Sequence, residues 1–493
     1  MSVADYEPVI GLEVHCQLET ASKMFSACPV GLLAPPNTLV DAYTLGLPGT
    51  LPVPNARAVH HGIALALACG CQLHERSRFA RKHYFYPDLP KGYQITQAHE
   101  PYATGGSLEV PGFRDAEGRP KRVPLVRIHF EEDAGKNVHV PGEDHSLIDY
   151  GRAGAPLLEI VSEPTIGSPE EAAAYLRELR TLVRTLGISQ ANMEEGTLRC
   201  DANVSVRRRG STALGVRCEI KNLNSFRFLA QAIAAEIRRQ IDLLEQGQVI
   251  ESVTLSYDVE RDRTRVMRSK EDAADYRYLP EPDLPPLWIS SEWIDRVRSE
   301  LPPLPAARRA GYLAQGISED DAVLLASEPA LGDYLDRTLA AGAPAKKASN
   351  WLTVELLGKL NADGIGIERS PVTPEALAEL IAMVEADEVS GRAAKAIFAS
   401  LYGELRESEG STPPLTPRTI AERDGHRQVS DAGVLEAAVR EVLAGHPEQV
   451  QQFRAGKTKV RGFFVGQVMK KTRGQANPQV LGELLDRLLG EDD

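Results

Sequence analysis

The chain has 493 residues, 42% hydrophobic and 25% charged, with a formal net charge of −13 from 69 acidic and 56 basic residues. That length exceeds one core and suggests roughly three domains, and no apolar run approaches the ~18 residues of a membrane span. The acidic balance argues against non-specific nucleic-acid binding over the whole surface. The start, Met1-Ser2-Val3-Ala4-Asp5, has no basic region or signal-peptide core, so a cytoplasmic protein without membrane contact is expected.

The first predicted element is a strand over Leu12 to Leu18. Leu12, Val14, Cys16 and Leu18 share one face, and Glu13, His15 and Gln17 share the other, because strand side chains alternate with period 2. The stretch from Tyr84 to Gln94 reads as a shaped loop. Its aromatics, with Lys91 and Gln94, would line a pocket for an acyl or ribose group; turns packed by tyrosines are the plainer alternative. A second strand runs from Val126 to Glu131, with Val126, Ile128 and Phe130 opposite Arg127, His129 and Glu131. It is expected to end in a turn at Glu131-Glu132-Asp133-Ala134-Gly135-Lys136, with acidic groups at the sheet rim.

A helix is expected from Ser168-Pro169-Glu170-Glu171 to about Leu186, closed by Gly187, since an N-cap Ser, Pro at the first helical position and a final Gly are helix boundaries. Two more strands follow. From Leu198 to Val206, Leu198, Cys200, Ala202, Val204 and Val206 alternate with Arg199, Asp201, Asn203 and Ser205; from Val216 to Lys221, Val216, Cys218 and Ile220 alternate with Arg217, Glu219 and Lys221. A second helix follows Asn224-Ser225 and runs to Gly247, with Leu229, Ile233, Ile237, Ile241 and Leu244 at helical spacing. Strands broken by long loops and a few helices suggest α+β.

The Pro-rich stretch 280–305 reads as a boundary. Beyond it the patterns are helical over 319–325, 331–341, 345–360, 374–386 and 391–405. After a break at 411–417 they are helical again over 434–443, 447–454, 461–470 and 478–489. From Arg454 to Arg473 there are seven basic residues and no acidic one. Helical basic residues are most often a solvated face, but the absence of any acid favours phosphate contact. Six cysteines are scattered, three of them on apolar strand faces, so no disulfide framework is expected.

No Walker A motif occurs, and no G-x-G-x-x-G follows a strand. A nucleotide site must therefore be of another kind. Carboxylates and an imidazole hold Mg²⁺, and arginines hold phosphate. The acidic-face candidates are Glu13, His15, Glu131, Glu132, Glu159, Asp201 and Glu219. Solvated outer sheet faces are an equally weighted reading of the alternation alone.

Several long motifs then point one way. They are 9–15 (VIGLEVH), 79–95 (FARKHYFYPDLPKGYQI), 131–136 (EEDAGK), 156–164 (PLLEIVSEP) and 193–203 (MEEGTLRCDAN), followed by 221–226 (KNLNSF), 275–283 (DYRYLPEPD) and 465–470 (VGQVMK). In this order they closely resemble the B-subunit family of the bacterial aspartyl/glutamyl-tRNA amidotransferases, over nearly the whole chain. The resemblance implies a sheet domain like that of glutamine synthetase and the guanido kinases over 1–294, then an all-α helical domain over 295–412 and an all-α tail over 413–493. It implies ATP-dependent amidation of misacylated Glu-tRNA(Gln), Asp-tRNA(Asn) or both: phosphorylation of the side-chain carboxylate, then displacement of phosphate by ammonia. A glutaminase A subunit would supply the ammonia, and a small C subunit would complete a heterotrimer.

On that resemblance, Glu13, His15, Glu131 and Glu132 would hold Mg²⁺, and Asp201 and Glu219 would complete a second metal or orient its waters. Arg199, Arg217 and Lys82 would contact phosphates of ATP. Tyr86, Lys91, Gln94 and Glu159 would line the substrate pocket. Lys457, Lys459, Arg461, Lys470, Lys471 and Arg473 would grip tRNA. Some members carry a four-cysteine zinc knuckle after the first strand. The corresponding positions here are Ser26, Cys28, Asp41 and Thr44, so no structural zinc is expected, a tetrahedral site needing four good ligands. The competing readings are a non-catalytic tRNA-binding scaffold and a free-standing ligase for a small carboxylate. The acids on polar faces speak against the first, and the helical domains and basic tail against the second.

Overall fold

The computed structural model describes residues 5–31, 34–97, 99–140, 142–269, 276–407, 415–426, 432–472 and 475–490. The chain divides into two compact units, Met1–Arg308 with Ser327–Pro329, and Arg309–Ala326 with Ala330–Asp493. The strands of the first unit are, in chain order, β1 (Tyr6–Gln17), β2 (Gln72–Leu73), β3 (Arg76–Ser77), β4 (Ala80–His83), β5 (Tyr93–Thr96), β6 (Ala103–Thr104), β7 (Ser107–Arg114) and β8 (Pro120–Glu132). They continue with β9 (Lys136–His139), β10 (Ser146–Asp149), β11 (Pro156–Ser162), β12 (Leu198–Arg208), β13 (Cys218–Leu223), β14 (Val253–Asp258), β15 (Arg263–Ser269), β16 (Leu279–Pro280) and β17 (Leu287–Trp288).

The main sheet runs β15-β14-β13-β12-β1-β11-β8-β6-β2, with β7 also on β8. It is antiparallel except between β13 and β14. Parallel neighbours need a crossover, and α3 (Phe226–Glu245) supplies it. Alternation then sorts the two faces. Leu12, Val14 and Cys16 of β1, Ile128 and Phe130 of β8, and Cys200, Ala202 and Val204 of β12 are buried in one apolar core. Three helices cover that face: α1 (Ala56–Ala68), α2 (Pro169–Thr185) and α3.

The caps follow the expected chemistry. Ser168 Oγ accepts from the Glu171 amide, and Ser225 Oγ from the Phe228 amide. Helix α1 was not expected. Its apolar and small residues leave little contrast between faces, and its boundary signal is Asn55, whose side chain accepts from the amides of Arg57 and Ala58. The Pro-rich boundary also hides a helix, α4 (Ser291–Glu300), whose Val297 is buried in the sheet core. The first unit accordingly runs past 294 to Arg308.

The other unit is helical and holds two apolar clusters, one drawn from Tyr312 to Ala421 and one from Leu435 to Leu489. The stretch expected helical over 345–360 contains a π-helical segment, Trp351–Leu356, between α-helical ends. Mixed α and β structure, with a large sheet followed by a helical C-terminal region, is thus the architecture. Among the described residues no helix is long and apolar enough to cross a membrane.

Candidate active site

The register of the sheet assembles the site. On the face opposite the core, Arg199 (β12) pairs with His15 (β1), His15 with Glu159 (β11), and Glu159 with His129 (β8). One residue pair further along, Glu13 lies beside Asp201. Cross-strand neighbours on one face stand close enough to interact, so the four strands deliver carboxylates and imidazoles to one spot.

The side chains converge. The Nε2 atoms of His15 and His129 each lie 3.5 Å from Glu159 Oε2. His129 Nε2 is also 3.5 Å from Glu131 Oε1, and His15 Nε2 is 3.9 Å from Glu13 Oε1 and 4.0 Å from Glu131 Oε2. Two triads place one donor atom each within 4.8 Å of one another: Glu13, His15, Glu159 and His129, Glu131, Glu159. Glu159 belongs to both. Arg127 Nε donates to His129 Nδ1 at 3.4 Å, which favours the tautomer with its proton on Nε2, facing the carboxylates. His129 therefore orients Glu131 and Glu159, while His15 Nε2 faces the same two carboxylates from β1.

The electrostatics reflect charge gathered in a partly dry place. Burial draws the His15 imidazole down, but its hydrogen bond to Glu159 and the charges of Glu159, Glu131 and Glu13 outweigh it and push the pKa up to about 9. Burial and repulsion from Glu159 raise Glu13. Burial opposes ionisation of Glu131, but His129, Lys82 and His15 hold it well below the usual carboxylate range. Burial likewise opposes Glu159, and His129 and His15 keep it low. Clustered carboxylates of this kind suit a cation, and a divalent ion held by the three carboxylates would take the place of the His15 proton, leaving the neutral imidazole as a fourth ligand.

Besides Arg127, whose Nη2 lies 3.4 Å from Glu159 Oε1, two further cationic side chains flank the cluster. Burial acts to lower Lys82, yet Glu131, Tyr278 and Glu159 raise it, so its ammonium stays charged beside the acids. Arg199 lies 2.9 Å from buried Asp133. The pair is poorly aligned: Arg199 Nε and Nη2 and Asp133 Oδ2 are buried without a hydrogen-bond partner. Those donors are poised for an oxyanion.

Other expected residues lie elsewhere. Glu132 is not in the cluster. The strand continues through it rather than ending at Glu131, so the pleat turns it to the opposite face. There it ion-pairs with Lys91 and accepts from the Ile95 amide at 3.0 Å. Lys91 is committed to that pair and to Tyr43 Oη at 3.0 Å. Gln94 stays close, donating to Glu131 Oε2 at 3.3 Å, while Tyr86 is exposed in the loop beyond. Asp201 and Glu219 already share an internal cation, Lys221 Nζ, at 2.7 and 2.9 Å; a second metal there would have to displace it. Arg217 precedes β13 and is exposed rather than on its polar face. A register shift between Leu125 and Arg127 leaves Val126 half-buried, with Val123 and Leu125 inward in its place.

The positions expected to replace a zinc knuckle do meet. Asp41 Oδ1 accepts from the Thr44 amide at 2.8 Å, and Ser26 Oγ from the Cys28 amide at 3.3 Å. A buried ammonium, Lys23 Nζ, donates to Leu39 O at 2.8 Å and to Thr44 Oγ1 and Tyr150 O at 3.4 Å. One thiol, one carboxylate and two hydroxyls beside an ammonium do not fit Zn²⁺.

In the tail, Lys457, Lys459 and Lys470 are exposed and make no ion pair with a described residue. Arg461 is held by Asp486 at 2.6 Å, and Lys471 pairs with Glu441. Arg473 lies outside the described residues.

A sheet carrying such a cluster falls in a known class of catalytic domain: residues 8–295 match the family model of the GatB/GatE catalytic domain, and residues 333–489 match that of the GatB domain. The chain belongs to the B-subunit family of the aspartyl/glutamyl-tRNA(Asn/Gln) amidotransferases. Relatives so named include one from Solidesulfovibrio magneticus, 46% identical over 99% of this chain and 100% of its own. Others come from an Anaeromyxobacter strain, 48% identical over 99% and 100%, and from Geobacter sulfurreducens, 48% identical over 98% and 99%.

Proposed function

We propose that this chain activates and amidates the side-chain carboxylate of Glu-tRNA(Gln), Asp-tRNA(Asn) or both at the Glu13–His15–Glu131–Glu159 cluster. The observation that carries the reading is the convergence of three carboxylates and His15 on one sheet face, with Lys82 and Arg199 beside them. A carboxylate is a poor acyl donor to ammonia, because oxide is a poor leaving group, and phosphorylation supplies a better one. The γ-phosphoryl group of ATP passes to a carboxylate oxygen and ADP departs. Ammonia then adds to the acyl carbon, the carbon–oxygen bond to phosphate breaks, and the amide forms with loss of a proton.

Phosphoryl transfer depends on positioning and charge neutralisation more than on a protein nucleophile. Glu13, His15, Glu131 and Glu159 fit Mg²⁺, which when bound would neutralise charge on the transferring phosphate. His129 holds Glu131 and Glu159 in place. Arg199 and Lys82 bind phosphate oxygens. No zinc is assigned to the loop stabilised by Lys23. The name of the relatives supports a multi-subunit assembly; in the proposed reading a glutaminase A subunit is the ammonia source and a small C subunit completes a heterotrimer in the cytoplasm. Lys457, Lys459 and Lys470 would contact the tRNA backbone. The layout supports kinship with the glutamine synthetase and guanido-kinase sheets.

The test is ADP release by the assembled complex with ammonium as nitrogen donor. ADP formed with Glu-tRNA(Gln) or Asp-tRNA(Asn) but not with uncharged tRNA supports the reading and identifies the substrate. No charged-tRNA-dependent ADP from a folded complex would return the chain to the scaffold reading.

A further inference from the structure

Strands β4 and β5 and the short β16 form a separate three-stranded ribbon, ordered β16-β4-β5. Its base touches the reacting cluster: Lys82 of β4 faces Glu131, and Gln94, its partner on β5, donates to Glu131. Its outer part is aromatic. The rings of Tyr84, Tyr276, Tyr278 and His99 follow one another edge to face, with centroids 6.4, 6.0 and 5.0 Å apart. Lys82 Nζ lies 5.1 Å from the Tyr276 ring centroid, and the Tyr276 backbone is pinned to the ribbon by the His83 amide at 2.9 Å.

Phe85, at the turn beyond β4, is 88% exposed, and Tyr86 and Tyr278 are 53% and 38% exposed. A side chain at Gly92, where φ is +73°, would meet the Phe85 ring at 3.0 Å. The phenyl ring therefore rests one edge on a glycine and leaves the rest to solvent. An isolated exposed apolar residue needs no explanation. A run of rings with a lysine among them, ending at a cluster of catalytic type, does.

We infer that this ribbon is a stacking platform for the unpaired 3′-terminal bases of the charged tRNA, with Phe85 and Tyr278 as the rings that meet them. The inference rests on the function proposed above and names the surface it requires. The amino acid is esterified to the terminal ribose, so the last nucleotides must lie within an amino acid's length of the cluster. Single-stranded RNA is bound by stacking on aromatic rings, with cations near its backbone. Lys82 supplies positive charge at the base of the ribbon; the nearby acids Glu281 and Asp283 are occupied by Arg81 at 2.8 and 3.0 Å. A protein partner seated here would block the entry of the substrate.

The test uses the assembled complex carrying Phe85→Ala, Tyr278→Ala or Phe85→Trp. Each alanine change should raise KM for charged tRNA about tenfold with a far smaller change in kcat, and Phe85→Trp should retain wild-type KM. The fluorescence of the indole introduced by Phe85→Trp, taken as the difference from wild type, should be quenched by an RNA tetranucleotide ending in CCA and not by free ATP. Unchanged KM in both alanine variants, or no quenching by the RNA, overturns the platform. Loss of heterotrimer assembly in Phe85→Ala also overturns it, making the surface a protein interface. An inactive wild-type complex defeats the function reading itself, whereas an active wild type with indifferent variants defeats only the platform.

Discussion

Replacing Glu159 by Gln should cost more than any other single isosteric change in the cluster. Glu159 alone belongs to both donor triads, and its Oε2 faces two imidazole nitrogens at 3.5 Å each. The amide keeps the shape but loses the charge and half the acceptor capacity. Losing a metal ligand at a phosphoryl-transfer site is worth on the order of 10²-fold or more in rate, or ~2.7 kcal/mol at about 1.4 kcal/mol per factor of ten. Glu13 sits at the rim, belongs to one triad and is 29% exposed, so Glu13→Gln should cost no more than Glu159→Gln. Folding should survive, because the weakened attraction to His15, His129 and Arg127 is offset by relief of repulsion with Glu131 and Glu13. The assay is charged-tRNA-dependent ADP formation by the assembled complex, with Mn²⁺ binding followed by electron paramagnetic resonance. Turnover by Glu159→Gln within about threefold of wild type would refute the reasoning, since no ligand loss is that mild.

Further outcomes follow from residues outside the cluster. Buried His61, whose Nε2 faces Glu19 O at 3.1 Å, has its pKa lowered to about 4 by burial and by Arg57. The unfolded chain binds the extra proton first, near pH 6.5, so His61 stabilises the fold above that pH and the contribution is lost as pH falls toward 4; His61→Gln should flatten the urea midpoint over that window. Lys23→Met should destabilise the first unit by about 2 kcal/mol, leaving the Leu39 and Tyr150 carbonyls unpaired, while chelators leave the melting temperature of the metal-free protein unchanged and elemental analysis finds no stoichiometric zinc. In the tail, Lys459→Ala should weaken tRNA binding and reduce its salt slope by roughly 1, whereas Arg461→Ala, whose parent is already held by Asp486, should change the slope less.

The polar and apolar faces were legible because alternation is a local property: Glu13, His15, Arg199 and Asp201 sit on the face their spacing assigns. Register is not local. Only the pairing of β1 with β11 and of β11 with β8 puts Glu159 between His15 and His129. Glu159, an acidic candidate that the resemblance assigns to the substrate pocket, stands in a nearly continuous apolar run, Pro156-Leu157-Leu158-Glu159-Ile160-Val161, which marks a strand buried on both faces and does not show that it joins both donor triads. His129 was visible on the right face, but its role depends on the tautomer that Arg127 favours, a contact within β8 that spacing cannot show. Glu132 lies off the expected cluster because β8 continues one residue beyond the turn that the pattern suggests, and element boundaries are where patterns carry least information. The pairing of Lys221 with Asp201 and Glu219 likewise needs a tertiary distance, since a lysine on a polar face reads equally well as solvated. In the helical region, periodic apolar positions marked most helices but not Pro305–Ala314 and Pro417–Arg423, which start at prolines that read as breaks, nor the π-helical segment at Trp351–Leu356.

The most direct test of the central claim is an isotope measurement. Charged tRNA is prepared with ¹⁸O in the side-chain carboxylate of its amino acid and incubated with the complex, ATP and ammonium. If the cluster phosphorylates that carboxylate, each inorganic phosphate released during amide formation carries one ¹⁸O. Amide formed with unlabelled phosphate would contradict the account, because the carboxylate oxygen would then have left by another route.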